Sequence, residues 1–141
     1  HDVILDGTDS FAARFAINAA SRSLAIPLVS GALGRFDLQL GVFNATEQSP
    51  CYRCFVGDAF DAEDCDTCAE DGMLGAMAGW AGTFGAMQGV RALLQGVSAF
   101  GDPQFGKLHI LDGMKPGMRT LTITKDAACK GCGAIAADPS Q

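Results

Sequence analysis

All six cysteines of this 141-residue chain lie in Cys-x-x-Cys pairs, and this spacing constrains the fold more than any other feature of the sequence. The short spacing lets both sulfurs of a pair face one point, so two pairs can bind one Zn²⁺ through four thiolates. Two pairs suffice for such a site, and one pair is then left over. The pairs are Cys51/Cys54, Cys65/Cys68 and Cys129/Cys132.

Local charge favours one of the possible pairings. A zinc ion bound by four thiolates carries excess negative charge, so nearby carboxylates are unfavourable. The pair at 65 and 68 lies in the acidic run 58–71, whereas Arg53 and Lys130 lie inside the other two pairs. We therefore predict a closed structural zinc site that ties the mid-chain loop to the C-terminal segment. Its ligands are Cys51, Cys54, Cys129 and Cys132.

Spacing alone leaves other arrangements open. Zinc bound by the two pairs between residues 51 and 68 would close a much shorter loop, and the extra loop-closure cost of the distal pairing is only about 2 kcal/mol. A disulfide framework is a further alternative. Closely spaced cysteines without a recognisable secretory leader favour a reducing compartment, so we expect a cytoplasmic protein with metal or thiol chemistry.

Composition and charge narrow the class of protein. The chain is 48% hydrophobic and 18% charged, which is typical of a globular domain with a core of its own. A net charge of −6 argues against nucleic acid as the main partner, because proteins that bind it need clustered Lys and Arg. The sequence opens on His1 and enters a predicted strand at once, so we expect a piece of a longer protein.

The N-terminal part of the sequence predicts a strand, a helix and a second strand. Apolar residues 3–5 predict a buried strand, and apolar residues at helical spacing predict a helix over 11–24, preceded by capping Thr, Asp and Ser. Pro27 ends this helix, and a strand follows over 28–32. Because the connection is short, we predict a βαβ unit with parallel strands. A further strand over 36–43 has one open face.

The C-terminal part predicts a long loop, a glycine-rich helix and a hairpin. After the loop over 44–71, the segment 72–97 is nearly uncharged and carries Gly at spacings of three and four. Each glycine destabilises a helix by about 1 kcal/mol relative to alanine. A stripe of glycines therefore indicates that the helix backbone must approach another element closely. We predict a helix buried on the sheet or at a subunit interface; a membrane span is the competing interpretation. Strands over 107–113 and 118–124 predict an antiparallel hairpin, which completes an α/β fold.

Cys68 is a candidate nucleophile. It lies just before the predicted glycine-rich helix, and a helix N-terminus favours a thiolate. The acidic neighbours of Cys68 oppose its ionisation. An inert thiol is therefore one alternative, and a Cys65–Cys68 redox pair of a thiol–disulfide oxidoreductase is another.

Several motifs resemble those of a known family in the same order along the chain. The segment DGTDSFAARFAINAA resembles the D-x-T-D-N…R…N segment of the ThiF/MoeB/HesA group of E1-like, ubiquitin-activating-type adenylyltransferases. The motifs CYRC, TCAEDGMLGAMAG, LHILDG and CKGCG follow in the order of that group. The resemblance spans nearly the whole chain.

The resemblance implies a fold and an activity. Residues 1–141 would form the C-terminal portion of a Rossmann-like E1/ThiF-type domain, without the N-terminal half that cradles ATP. Members bind ATP and Mg²⁺ and adenylate the C-terminal Gly-Gly carboxylate of a ubiquitin-like sulfur-carrier protein. These carriers serve molybdopterin biosynthesis, thiamine biosynthesis or tRNA thiolation. The family also implies a homodimer, and the isolated chain is expected to be inactive. The alternative function is a zinc-stabilised interaction or dimerisation module without catalysis.

The resemblance also implies roles for individual residues. The zinc pattern of the family falls on the same four cysteines that charge favours. Asp9 matches a catalytic aspartate close to the ATP phosphates and their metal ion. Ser10, in place of the usual Asn, and Arg14 match neighbouring ATP-binding positions. Cys68 matches the cysteine that takes an acyl or persulfide group, whereas Cys65 has no counterpart.

The phosphate-binding loop of the family is not recognisable in this sequence. The nearest glycine pattern, Gly79-x-x-Gly82-x-x-Gly85, lies inside a predicted helix. A phosphate-binding glycine loop must instead follow a strand and open a helix. We therefore expect the loop in the preceding half of the enzyme.

Overall fold

The chain forms one mixed β-sheet with helices on both faces. The computed structural model describes residues 1–58, 72–115 and 117–133. In these residues the five strands lie in chain order across the sheet, and three α-helices and a short 3₁₀ turn connect them. The strands are β1 (Ile4–Asp6), β2 (Leu28–Leu33), β3 (Asp37–Phe43), β4 (Lys107–Asp112) and β5 (Met118–Thr122). The helices are α1 (Phe11–Leu24), α2 (Tyr52–Val56) and α3 (Gly75–Leu93), and the 3₁₀ turn is Ser98–Phe100.

The predicted βαβ unit is confirmed. Strand β1 pairs with β2 in parallel, with Asp6 opposite Ser30. Helix α1 begins after Ser10, whose side-chain oxygen accepts a hydrogen bond from the Ala13 amide at 3.2 Å. The helix ends at a left-handed residue, Ala25, before Pro27 breaks the pattern.

The sheet departs from the predicted arrangement at β3. We expected parallel strands followed by one antiparallel hairpin, but only β1 and β2 are parallel. Strand β3 pairs antiparallel with both β2 and β4. Only three residues separate Leu33 from Asp37, and a parallel crossover needs a dozen or more. The amide of Gly34 closes the turn by donating to the Asp37 carbonyl at 2.9 Å. The predicted β4–β5 hairpin is confirmed.

Two apolar layers cover the two faces of the sheet. Helices α1 and α2 pack on one face, where aromatic rings meet around Phe43 and Tyr52. Helix α3 packs on the other face. That core contains Val29, Leu38, Leu40, Val42, Met77 and Leu111.

Only part of the glycine stripe in α3 approaches the sheet. A Cβ at Gly85 would lie 3.3 Å from a Leu40 methyl carbon, and one at Gly89 would lie 3.1 Å from a Leu5 methyl carbon. The predicted close approach is therefore confirmed in this part of the helix. At Gly75, Gly79 and Gly82 an added Cβ would meet nothing within 4 Å.

The side of α3 that faces away from the sheet is apolar and exposed. We call this surface the outer face of α3. It consists of Gly75, Gly79, Trp80, Gly82, Met87, Val90 and Leu93. One exposed polar residue, Thr83, lies among them, and its hydroxyl donates to the Gly79 carbonyl at 3.0 Å.

Across residues 1–58, 72–115 and 117–133, no helix combines the length and apolar character that crossing a membrane requires.

His109 is a buried titratable residue on β4. Its Nδ1 lies 3.0 Å from the Thr120 hydroxyl, and its ring meets Phe84 edge-on with centroids 5.1 Å apart. Its Nε2 is buried without a hydrogen-bond partner in the described part of the chain. Burial, and then the positive charge of Arg91, lowers the pKa of His109. The folded protein therefore favours the neutral form of the His109 ring.

We predict that the titration of His109 lowers the stability of the folded protein in mild acid. Below a pH of about 6.5, the ordinary pKa of histidine, His109 is protonated in the unfolded chain but remains largely unprotonated in the folded chain, where its pKa is lower. The free energy of unfolding should fall with decreasing pH, by at most about 1.4 kcal/mol per pH unit for this one group. His109→Leu should remove this component, as measured by urea denaturation at about pH 7 and about pH 5. His1→Gln is the control and should keep it; an unchanged pH dependence in His109→Leu would contradict the prediction.

Candidate functional site

Four cysteines meet at one point between α2 and the C-terminal segment. Their sulfur atoms all lie within 4.8 Å of one another. The distances are 3.9 Å for Cys51–Cys54, 3.7 Å for Cys51–Cys129 and 3.3 Å for Cys54–Cys132. A tetrahedral metal ion with metal–sulfur bonds of about 2.3 Å separates its sulfurs by about 3.8 Å. The four thiols therefore fit a single metal ion, and they are the set that charge favours.

Both cysteine pairs use the same local geometry. Cys51 precedes α2, and the Cys54 amide donates to the Cys51 carbonyl at 3.0 Å. The Cys132 amide likewise donates to the Cys129 carbonyl at 3.3 Å. In each pair one tight turn brings the two sulfurs to the same side. At Gly133 a Cβ would lie 2.5 Å from the Ala127 carbonyl oxygen, so the second turn requires glycine at its end.

Burial controls the acidity of these thiols. Burial raises the pKa of Cys129 to about 11 and also raises the pKa of Cys132. Burial acts in the same direction on Cys54, but hydrogen bonds with the backbone of Asp126 and Cys51 lower its pKa overall. Metal binding requires thiolates, so a divalent cation would replace the protons of the cluster and offset two of the four negative charges of the thiolates.

An ion-pair bridge connects the two halves of the cysteine cluster at the surface. Asp58 accepts from Arg53 Nη1 at 3.2 Å through one oxygen and pairs with Lys130 Nζ at 3.2 Å through the other. The Arg53 guanidinium also lies 4.0 Å from the centroid of the Phe15 ring. The two cations that indicated the metal ligands thus lie beside the cluster. Exposed pairs of this kind add little stability, so the thiols remain the main link.

A second group of polar residues lies at the carboxyl ends of β1 and β2. We call it the strand-end cluster. The Asp6 carboxylate is fully buried and accepts from the Thr8 amide at 2.9 Å, the Thr8 hydroxyl at 2.8 Å and the Ser30 hydroxyl at 2.8 Å. Arg14 lies 3.7 Å from the same carboxylate. The strand-end cluster consists of Asp6, Thr8, Arg14 and Ser30.

The residues predicted to face ATP divide into two kinds. Asp9 is exposed in the turn between β1 and α1. Ser10, the N-cap residue of α1, is also exposed. Arg14 is buried, and its guanidinium donates to the Ser30 hydroxyl, the Gly31 carbonyl and the Thr8 carbonyl. The guanidinium of Arg14 therefore holds the backbone at the strand ends.

A pocket opens beside the strand-end cluster on the face of the sheet that carries α1 and α2. Its volume is about 350 Å³. Arg14, Ser30, Gln39 and Tyr52 are its polar lining residues. Its apolar lining includes Phe11, Phe43, Phe55, Val56 and Leu108.

Asp6 is the site residue that the sequence did not single out. Asp-Gly after an apolar run is typical of a turn, and although Asp6 begins the DGTDS motif, the sequence assigns it no role of its own. One signal was available, because a polar residue directly after a buried parallel strand lies where α/β proteins bind ligands. Cys65 and Cys68 lie outside the described residues, so the predicted nucleophile remains a prediction.

Comparison with known proteins identifies sequence relatives along nearly the whole chain. A model of the ThiF family matches residues 1–132. The chain is 34% identical over 133 residues to the molybdopterin-synthase adenylyltransferase of Escherichia coli (strain K12), covering 94% of this chain and 51% of that protein. It is 32% identical over 137 residues to the sulfur carrier protein adenylyltransferase of Thermus thermophilus, covering 94% and 49%. It is 38% identical over 133 residues to the adenylyltransferase and sulfurtransferase MOCS3 of Drosophila grimshawi, covering 94% and 29%. The chain thus spans about half the length of the bacterial relatives.

Solved structures share the fold. The crystal structure of E. coli MccB with MccA-N7isoASN has a TM-score of 0.71 at 11% identity, and the match covers 94% of this chain and 40% of that one. The microcin C7 biosynthetic enzyme MccB in complex with N-formylated MccA has a TM-score of 0.72 at 12% identity, covering 94% and 41%. At such identities the similarity concerns the fold alone.

We predict that the chain binds one metal ion through the four clustered cysteines. Cys132→Ser should lose the metal and lower the free energy of unfolding by about 3 kcal/mol or more, because metal binding contributes directly to folding. Metal content measured by inorganic mass spectrometry, together with urea denaturation, checks both effects. Cys68→Ser is the matched control and should keep the metal. Loss of metal in Cys68→Ser with retention in Cys132→Ser would contradict the assignment.

Proposed function

Because the chain belongs to the ThiF family, we propose that it forms the metal-tied part of an ATP-dependent adenylyltransferase. Its substrate would be the C-terminal Gly-Gly carboxylate of a ubiquitin-like sulfur-carrier protein. One observation carries this proposal: the turn that bears Asp9 lies at the carboxyl ends of the parallel strands β1 and β2 and is held there by buried polar groups. Ligands of open α/β sheets bind outside this edge. The names of the bacterial relatives, both adenylyltransferases, support the reaction class.

The chemistry of the proposed reaction explains why an acidic residue is needed at this edge. A free carboxylate reacts poorly with nucleophiles, so the carrier oxygen attacks the α-phosphorus of ATP and pyrophosphate leaves. The Asp9 carboxylate fits a Mg²⁺ ion, which prefers oxygen ligands and supplies positive charge to the phosphates when bound. Asp9 would orient that charge, and the exposed Ser10 would line the same edge. Arg14 would hold the backbone of this edge from the buried side, through the Thr8 and Gly31 carbonyls.

We assign residues 1–141 to the C-terminal portion of the adenylyltransferase domain. The match covers about half of the bacterial relatives, and the segments that would cradle the phosphates belong to the other half of such a domain. By itself the chain is expected neither to bind ATP productively nor to release pyrophosphate.

We further propose that Zn²⁺ occupies the four-cysteine cluster as a structural ion. Four thiolates close the tetrahedral coordination of zinc and leave no position for a substrate. Described cysteines that are free rather than disulfide-bonded support a reducing compartment, and we place the protein in the cytoplasm.

Cys68 would receive the activated group in a second step. Its thiolate would attack the carbonyl carbon of the acyl adenylate, forming a thioester and releasing AMP. If a sulfane-sulfur donor has first converted Cys68 to a persulfide, the terminal sulfur of that persulfide would attack the same carbon, forming an acyl persulfide and releasing AMP. Cys68 lies between α2 and α3 in the sequence.

The second candidate function is an interaction or dimerisation module. The outer face of α3 supports it, because Trp80, Met87 and Leu93 are each about half exposed and no charged residue interrupts them there. Large exposed apolar patches mark sites of association. Association as a homodimer is compatible with catalysis and would bury this surface.

Adenylation is tested in a chimera in which residues 1–132 replace the matching segment of the E. coli relative. We predict that the chimera exchanges pyrophosphate into ATP only when a carrier ending in Gly-Gly is present. Asp9→Asn should lower the exchange rate by at least about 100-fold, because the phosphates lose a charge that orients their metal ion. Radiolabelled pyrophosphate exchange measures both effects.

Matched variants separate the steps. Asp2→Asn, an exposed acid outside the motif, should retain full exchange, and Cys68→Ser should retain exchange but trap no thioester with the carrier. A folded, metal-loaded chimera that binds the carrier without exchange would overturn the adenylation proposal and support the interaction module.

We predict that the outer face of α3 is a dimer contact. Met87→Glu places a charge in this surface and should weaken self-association at least about 30-fold, the effect of a hot spot of about 2 kcal/mol. Sedimentation equilibrium measures the dissociation constant. Met114→Glu makes the same chemical change at an exposed site between β4 and β5 and should leave association unchanged. Equal effects of the two variants would count against the interface.

A further inference from the structure

Thr8 is held by hydrogen bonds on both sides of its α-carbon. Its amide and its hydroxyl both donate to Asp6 Oδ1, at 2.9 and 2.8 Å. Its carbonyl accepts from Arg14 Nη2. The amide belongs to the peptide unit before Thr8 and the carbonyl to the unit that joins Thr8 to Asp9. Two neighbouring peptide planes are therefore fixed in direction, and the second one leads into Asp9.

The groups that hold Thr8 are themselves anchored in the sheet. The Asp6 side chain has no exposed surface, and the Ser30 hydroxyl on the neighbouring strand donates to its second oxygen at 2.8 Å. Arg14 reaches the same strand through the Gly31 carbonyl at 2.9 Å. A buried carboxylate with a nearby guanidinium resists rearrangement, because any lost hydrogen bond leaves a desolvated charge without a partner.

Asp9 lies between two fixed neighbours. Thr8 precedes it, and Ser10 follows it as the cap of α1, bonded to the Ala13 amide. The Asp9 side chain itself is exposed at the strand edge. This arrangement leaves the backbone at residue 9 little freedom while its carboxylate faces outward.

We propose that Asp6 is a positioning residue that, together with Arg14, fixes the Thr8 turn and so orients the Asp9 carboxylate for its ligand. This inference rests on the function proposed above for Asp9. In this proposal Asp6 and Arg14 do not contact the substrate, and they act on Asp9 through the backbone of Thr8. A purely structural role of the strand-end cluster makes a different prediction, because the Thr8 hydroxyl would then contribute only what any comparable hydrogen bond contributes to stability.

The test uses a pair of substitutions at Thr8, because removal of Asp6 can prevent folding. Thr8→Val keeps the branched shape of the side chain and loses the hydroxyl donor, whereas Thr8→Ser keeps the donor. Ser21→Ala is the matched control. It removes a hydroxyl at the other end of α1, which donates to the Ile26 carbonyl at 2.6 Å and accepts from Asn44 Nδ2 at 2.8 Å. Thermal unfolding is recorded for every variant so that effects are compared at known stability.

The first readout is the order of the Asp9 backbone, measured by ¹⁵N relaxation on the full 141-residue chain loaded with Zn²⁺. We expect an order parameter of about 0.85 in the parent chain and in Thr8→Ser, and a value below about 0.6 in Thr8→Val. An unchanged order parameter in Thr8→Val would overturn the proposal. This readout needs no catalytic activity.

The second readout is pyrophosphate exchange in the chimera with the E. coli relative. We expect Thr8→Val to lower kcat/KM for Mg·ATP about tenfold and Asp6→Asn about 100-fold, with Thr8→Ser restoring the parent value. Equal losses in Thr8→Val and Ser21→Ala would show a structural role only and would overturn the proposal. If the parent chimera exchanges no pyrophosphate, the function proposed for Asp9 fails, and the order parameter alone decides whether Asp6 positions residue 9.

Discussion

The four-thiol cluster is the interaction on which one side of this structure depends. Cys51 and Cys129 are 78 positions apart, yet their sulfurs lie 3.7 Å from each other. Helix α2 has only five residues, too few to be stable by itself, and its aromatic residues form much of the apolar layer under α1. A metal ion bound at the cluster would therefore order α2, the layer beneath it and the C-terminal segment together. Because binding couples to folding, the loss of one sulfur affects all three.

The strand-end cluster orders the opposite end of α1 by different chemistry. Here a buried carboxylate, a guanidinium and two hydroxyls satisfy one another across β1, β2 and α1. Such networks are stabilising only when every member has its partners, and these partners are in place. The result is a rigid frame with one exposed acid, Asp9, at the edge where ligands of α/β sheets bind. In the proposed enzyme, this frame would hold the acid that faces the phosphates, and a metal ion bound at the cysteines would order the chain further away.

Helix α3 packs on the sheet with one side and exposes apolar residues on the other. A Cβ at Gly85 or Gly89 would crowd a leucine methyl group on the sheet side, whereas Trp80 and Met87 on the other side are exposed to solvent. A helix that is apolar on all sides is usually buried on all sides. The proposed dimer would cover the outer face of α3. The interaction surface and the proposed adenylyltransferase would then belong to the same assembly.

Much of the fold and half of the site could be predicted from sequence, because those features follow local rules. The bounds of α1 follow from a capping serine and a helical period, and the grouping of the four cysteines follows from pair spacing and neighbouring charge. The antiparallel pairing of β3 and the glycines that meet the sheet were decided by tertiary structure. The burial of the Asp6 carboxylate was decided there too, since its partner Ser30 lies 24 positions away and the parallel register of β1 and β2 brings the two together. Sequence thus determined which residues could form helices and bind metal, whereas packing decided which polar side chains became buried, because burial depends on contacts between segments that no local pattern records.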